Sequence, residues 1–105
     1  MIMKTILLAC AAGMSTSMLV QRMADAAASK NIETDIFAVS VDEVERKLDE
    51  KNVDAILLGP QVRYMETDFK KKYENENRPV AVINMMDYGT MNGEKVLQTA
   101  LDLMD

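Results

Sequence analysis

The 105-residue sequence contains no histidine, no tryptophan and a single cysteine. No ligand set remains for a structural zinc, no imidazole for acid/base work, and no second thiol for a CxxC pair or an intramolecular disulfide. Neither a metal nor another cofactor is expected. Positive charge is also short: 12 Lys and Arg stand against 17 Asp and Glu, a formal net charge of −5. Such a chain has no basic field with which to neutralise nucleic-acid phosphates, so nucleic acid is not an expected partner. No run approaches the ~20 apolar residues of a membrane span, and direct membrane insertion is not expected either. Leu7-Leu8-Ala9-Cys10, following Lys4, imitates a lipoprotein cleavage site. Its uninterrupted apolar part, Ile6 to Ala9, falls short of the about 7–15 residues a signal core needs. With a lone free thiol, the cytoplasm is the expected compartment.

What is present is enough for one core. Hydrophobic residues make up 49% of the chain, and a chain of this length buries roughly two-thirds of its unfolded surface. One domain, residues 1–105, is expected. The acidity is uneven: residues 1 to 32 hold Lys4, Arg22 and Lys30 against Asp25, so an anion is least repelled there.

Short aliphatic runs alternate with helical patterns four times. Ile6 to Ala9, Thr34 to Val39, Ala55 to Leu58 and Val80 to Ile83 read as strands. Leu19, Val20, Met23, Ala24 and Ala27 recur at helical spacing up to Lys30-Asn31. Ser40 and Glu43 form a capping-box pattern before a helix carrying Val44 and Leu48. Val62, Met65, Phe69 and Tyr73 predict a third helix, and Val96, Leu97, Ala100, Leu101 and Met104 a fourth, starting near Asn92. This alternation predicts an α/β fold: an open four-stranded parallel sheet, order 2-1-3-4, with helices on both faces. Ligands of such sheets sit beyond the carboxyl ends of the strands where strand order reverses. Here that point lies between strands one and three, flanked by the Cys10 loop and by Gly59-Pro60-Gln61.

The informative segment is Cys10-Ala11-Ala12-Gly13-Met14-Ser15-Thr16-Ser17, which leaves a strand and enters a helix. Small residues let successive amide N–H groups converge, the helix adds its free N–H donors and positive dipole end, and three hydroxyls add further donors. Such a cradle suits a tetrahedral dianion with a thiol at its edge, and its donors favour thiolate over thiol. Taken alone, a free cysteine ending an apolar strand reads equally as one more small buried hydrophobe. The glycine and hydroxyls at the junction favour a nucleophile. A C-x5-R-[ST] phosphatase needs an arginine where this chain has Thr16, so the cradle lacks the clamp that best stabilises transfer to water. Neither a G-K-[ST] nucleotide loop nor the carboxylates of an aspartyl-phosphate receiver is present.

Three motifs in order, Cys10 to Val20, Leu57-Leu58-Gly59-Pro60-Gln61-Val62-Arg63-Tyr64-Met65, and Tyr88-Gly89 with Gly93, resemble the enzyme IIB component of the phosphoenolpyruvate-dependent sugar phosphotransferase system (PTS). Within it, the lactose/cellobiose/chitobiose group is the most similar. The resemblance covers essentially the whole chain. It implies a fold resembling low-molecular-weight tyrosine phosphatase and a phosphotransferase that works through a phosphocysteine. Cys10 then accepts a phosphoryl group from a IIA phosphohistidine and passes it to a β-linked disaccharide held by the membrane permease IIC. Residues Ala11, Ala12, Gly13, Met14, Ser15, Thr16 and Ser17 form its phosphate-binding loop. A small stand-alone cysteine phosphatase and a non-covalent oxyanion-binding module are the alternatives.

Other features carry two readings each. Gln61 and Tyr64 either line the site or touch a partner, while Gly59-Pro60 serves equally as a strand stop. Asp87-Tyr88-Gly89 reads as a turn or as an acid-bearing loop beside the site. Met14 and Met18 straddle the first helix's start as an adaptable apolar rim, the other methionines reading as core filler. Lys70-Lys71-Lys72 reads as a solvated helix face.

Overall fold

A computed structural model describes residues 3–11 and 16–104. Four strands, β1 (Lys4–Cys10), β2 (Thr34–Ser40), β3 (Ala55–Leu58) and β4 (Val80–Val82), form one parallel sheet in the order β2-β1-β3-β4. The helices are α1 (Ser17–Ser29), α2 (Val44–Glu50), α3 (Glu66–Tyr73), α4 (Met85–Gly89) and α5 (Gly93–Met104). The expected architecture and strand order are those observed.

The central strands are continuous apolar runs because helices cover both faces. Ile6, Leu7, Leu8 and Ala9 are all fully buried, as are Ala55 to Leu58. Alternate side chains feed two cores. Ile6, Leu8, Cys10, Leu57 and Ile83 pack with α1, α5 and Tyr88 on one face. Leu7, Ala9, Ile56, Leu58 and Val80 pack with α2 and α3 on the other. The signal-like Leu-Leu-Ala-Cys run is thus the end of the central strand. Register at the opposite end is fixed by a reciprocal pair: the Thr5 N–H donates to the Asp54 carboxylate at 2.8 Å, and the Asp54 N–H donates to the Thr5 carbonyl at 2.8 Å.

Helix α1 ends as its sequence suggests. Asn31 takes the left-handed conformation (φ 59°), the Ile32 N–H reaches the Ala27 carbonyl and the Asn31 N–H reaches that of Ala28, a Schellman closure. Three local expectations need correction. The Ser40/Glu43 capping box does not form: Val41–Glu43 make a 3₁₀ turn, the Ser40 side chain caps nothing, and the Glu43 carboxylate pairs with Arg46. The third helical stripe is two elements, a 3₁₀ segment Pro60–Met65 broken at Val62 and then α3, although Val62, Phe69 and Tyr73 still bury one face. The Asp87-Tyr88-Gly89 turn is instead the end of the short helix α4, nucleated by Asn84, whose side chain accepts from the Met86 and Asp87 N–H groups. The lysine run is a solvated face: Lys70 pairs with Glu66, and Lys72 reaches Glu45 of α2.

Helices α1 and α5 lie close because α5 opens on a glycine. A Cβ at Gly93 would stand 2.5 Å from the Arg22 carbonyl carbon and 2.6 Å from the Met23 nitrogen. Backbone cannot yield as a flexible side chain can. Gly93→Ala is therefore expected to cost about 1–3 kcal/mol of stability in a urea titration through overpacking. Gly89→Ala, with nothing within 4 Å of the added methyl, is expected to leave the midpoint unchanged or raise it.

Candidate functional site

The carboxyl ends of β1 and β3 converge where strand order reverses, and Cys10 ends β1 there. Its side chain lies on the α1/α5 face and is only 3% exposed. Across from it, the Gly59 N–H donates to the Ala9 carbonyl at 2.9 Å, closing the ends of the two strands together. Gly59 lies close to the sulfur: a Cβ there would stand 3.5 Å from Cys10 Sγ, an ordinary contact, and 3.2 Å from Gln61 Oε1 at the end of a flexible side chain. The segment after β3 therefore passes directly over the sulfur.

Thr16 is buried and stands at the N-cap position of α1, yet its side chain caps no helical N–H. Its hydroxyl instead lies where it favours the Cys10 thiolate. Burial works more strongly in the opposite direction and pushes the Cys10 thiol above its ordinary value. Burial thus opposes the acidified sulfur expected from the loop donors, of which Thr16 alone acts among the described residues. Of the expected loop, Ala11 is half-buried and Ser17 is exposed at the first turn of α1, while Ala12, Gly13, Met14 and Ser15 lie outside the described residues.

Residues after β3 and β4 complete the surroundings. Pro60, Gln61, Arg63, Tyr64, Met85, Tyr88 and Gly89 line an open groove of about 580 Å³. Gln61 is exposed and close to Gly59 and Cys10, and Tyr64 is 77% exposed. Asp87 is half-buried on α4, its N–H engaged by Asn84. Tyr88 turns inward, 9% exposed, into the same cluster as Cys10. Burial raises its phenol pKa, the nearby Cys10 charge raises it further, and Gln61 offsets part of the shift. Among the described residues the hydroxyl has no partner at hydrogen-bond geometry, although the exposed Gln61 side chain is near enough to lower its pKa.

Helix α4 is held at both ends. Asn84 caps its start, and Met91, left-handed at φ 55°, closes its end with the Asn92 N–H donating to the Asp87 carbonyl. The Arg22 guanidinium then ties the Met91 carbonyl to α1 at 3.2 Å. Met85, Met86 and, on α1, Met18 stay exposed around this end of the sheet. The exposure of Met85 and Met86 was not expected from sequence; two adjacent methionines after a buried strand were the available signal. Among the described residues, no three His, Cys, Asp or Glu side chains gather as a metal site, and no helix is long and apolar enough to cross a membrane.

Comparison with known proteins is consistent throughout. Residues 5–99 match the family described as PTS system, Lactose/Cellobiose specific IIB subunit. The galactose-specific EIIB component of the PTS from Lactococcus lactis subsp. cremoris (strain MG1363) is 47% identical over 105 residues, covering 97% of each chain. The solution structure of a cellobiose-specific phosphotransferase IIB component from Borrelia burgdorferi is 44% identical, with a TM-score of 0.77, covering 97% of this chain and 92% of that one. A lactose-specific IIB component domain from Streptococcus pneumoniae shares the fold at 19% identity, with a TM-score of 0.85, covering 99% of this chain and all of that one.

The raised thiol pKa has a measurable sign. Thiolate absorbance of the free protein is expected to appear at a pH above that of an ordinary cysteine, and a midpoint below the ordinary value would contradict the burial argument. Linkage follows: stability contributed by the protonated thiol is complete below the unfolded value and is lost as pH rises through the folded one.

Proposed function

The chain belongs to the lactose/cellobiose-specific IIB subunits of the phosphotransferase system, and from that premise we propose that Cys10 is its phosphoryl-carrying residue. In the first step Sγ forms a bond to phosphorus as the P–N bond of a IIA phosphohistidine breaks, and the thiol proton passes to the released imidazole nitrogen. In the second, a hydroxyl of a β-linked oligosaccharide held by IIC takes the phosphoryl group, and its proton returns to sulfur. The donor is already a high-energy phosphoramidate, so the protein's work is chiefly positioning. The loop from Ala11 to Ser17 supplies the cradle. The exposed Tyr64, Met85 and Met86 beside the groove form an adaptable apolar rim on which two different partners can dock in turn. A cytoplasmic location suits both partners.

The observation that carries this reading is the setting of the sulfur at the reversal point of the sheet. The same setting favours a carrier over a phosphatase in two ways. A thiol with a raised pKa is a poorer leaving group than an acidified one, so its phosphoryl ester discharges less readily to water. The position where a cysteine phosphatase keeps its transition-state arginine carries Thr16, whose hydroxyl is turned to the sulfur.

Incubation with a phosphorylated IIA protein of the lactose/cellobiose type is expected to label the wild-type chain and to leave Cys10→Ser unlabelled, since serine is far less ionised. Labelling that survives the substitution would reject Cys10 as the carrier. Turnover of an aryl phosphate at rates of roughly 1–10³ s⁻¹ would restore the phosphatase alternative.

A further inference from the structure

We propose that the Tyr88 hydroxyl is a hydrogen-bond donor held in reserve for a tetrahedral oxyanion at Cys10, the phosphoryl group in the charged protein. The second half of that statement rests on the phosphocysteine reading above; the first does not.

The argument starts from a cost. A hydroxyl taken out of water with no partner is destabilising, and buried orphans are rare enough that each calls for a reason. Among the described residues Tyr88 Oη is such an orphan by geometry, on a residue 9% exposed in an otherwise apolar cluster, with the side chain of the exposed Gln61 the one polar group close enough to lower its pKa. Phenylalanine would fill that space without the penalty. The orphan also shares its surroundings with the sulfur: Tyr88 packs in the cluster containing Cys10, lines the groove with Gln61, and lies near enough for a charge on Cys10 to raise its pKa. It does not hydrogen-bond the sulfur itself. An acceptor built out from sulfur by a P–O bond is the group that would meet it.

The placement is rigid. Asn84 fixes the start of α4, the left-handed Met91 closes its end, and Arg22 anchors that closure to α1. Such a donor loses little freedom when it binds. It also stays protonated at neutral pH, because burial and the neighbouring sulfur both raise its pKa. Thr16 approaches the sulfur from α1 and Tyr88 from α4, so an oxyanion between them would be held by hydroxyls of two separate elements.

Tyr88→Phe removes only the hydroxyl. Three measurements on the full chain test the proposal: the unfolding midpoint without anion, the dissociation constant for inorganic phosphate or orthovanadate followed by amide chemical shifts, and the equilibrium fraction charged by a phosphorylated IIA protein. Tyr88→Phe is expected to keep or raise the anion-free midpoint, while weakening anion binding and lowering the charging equilibrium about tenfold or more, as for a hydrogen bond to a charged group. Tyr73→Phe, on the opposite core, is expected to leave both binding and charging unchanged. A lowered anion-free midpoint would overturn the proposal by showing that the hydroxyl is already satisfied in the free protein. Unchanged anion affinity and charging in Tyr88→Phe would overturn it too, leaving a buried water as the partner. Tyr88-dependent anion binding in a wild-type protein that IIA cannot charge would uphold the donor and defeat the phosphocysteine reading. Neither anion binding nor charging in the wild type would overturn both.

Discussion

Everything at the proposed site depends on where the sheet puts one sulfur. β1 is paired on both edges by β2 and β3 and covered on both faces by helices, and the chain leaves it at the point where strand order reverses. Covering desolvates the sulfur, and reversal parts the neighbouring loops. A thiol in this position is protected from casual chemistry while its next neighbours, Thr16, Gln61 and Tyr88, arrive from three different connections. Lengthening or removing any one of those connections changes the cradle without touching the strand.

Desolvation has a chemical meaning for a carrier. A thiolate-stabilising site accelerates attack and also improves sulfur as a leaving group, which suits an enzyme that must turn over with water. A site that holds the thiol neutral does the reverse, and leaves discharge to depend on an acceptor arriving with the right geometry. The polar groups around Cys10 are consistent with that division of labour. The Thr16 hydroxyl faces the sulfur, the Gln61 amide lies nearby across Gly59, and the position six residues after the cysteine is that same threonine. They can hold an oxyanion without supplying the full positive charge that would drive its transfer to water.

The fold was legible because its strongest signals are local. Ile6–Ala9 and Ala55–Leu58 have no polar residue, which only a doubly covered strand tolerates, and the alternation with helical patterns then fixes a parallel sheet. The errors occur where two local rules compete. Ser40 and Glu43 match a capping box, but Arg46 takes the Glu43 carboxylate and the chain makes a 3₁₀ turn first. Pro60 permits a helical start, but the backbone leaves helical geometry at Val62, whose side chain is buried, before α3 begins.

The site was legible only in part. Cys10 and Thr16 of the proposed site could be named because glycine, small residues and hydroxyls cluster at a strand-to-helix junction. The inward turn of Tyr88 could not, since the residues it packs among come from β1, α1 and α5, far apart in sequence. Nor does any periodicity reveal that a buried phenol lacks a partner. The most direct test of the central claim is phosphorus NMR of the intact chain after charging by a phosphorylated IIA protein. The account predicts a single protein-bound resonance with the shift of an S-phosphoryl ester, lost on treatment that cleaves S–P bonds. A resonance of a P–N or P–O linkage, or none above the donor's own, would contradict it.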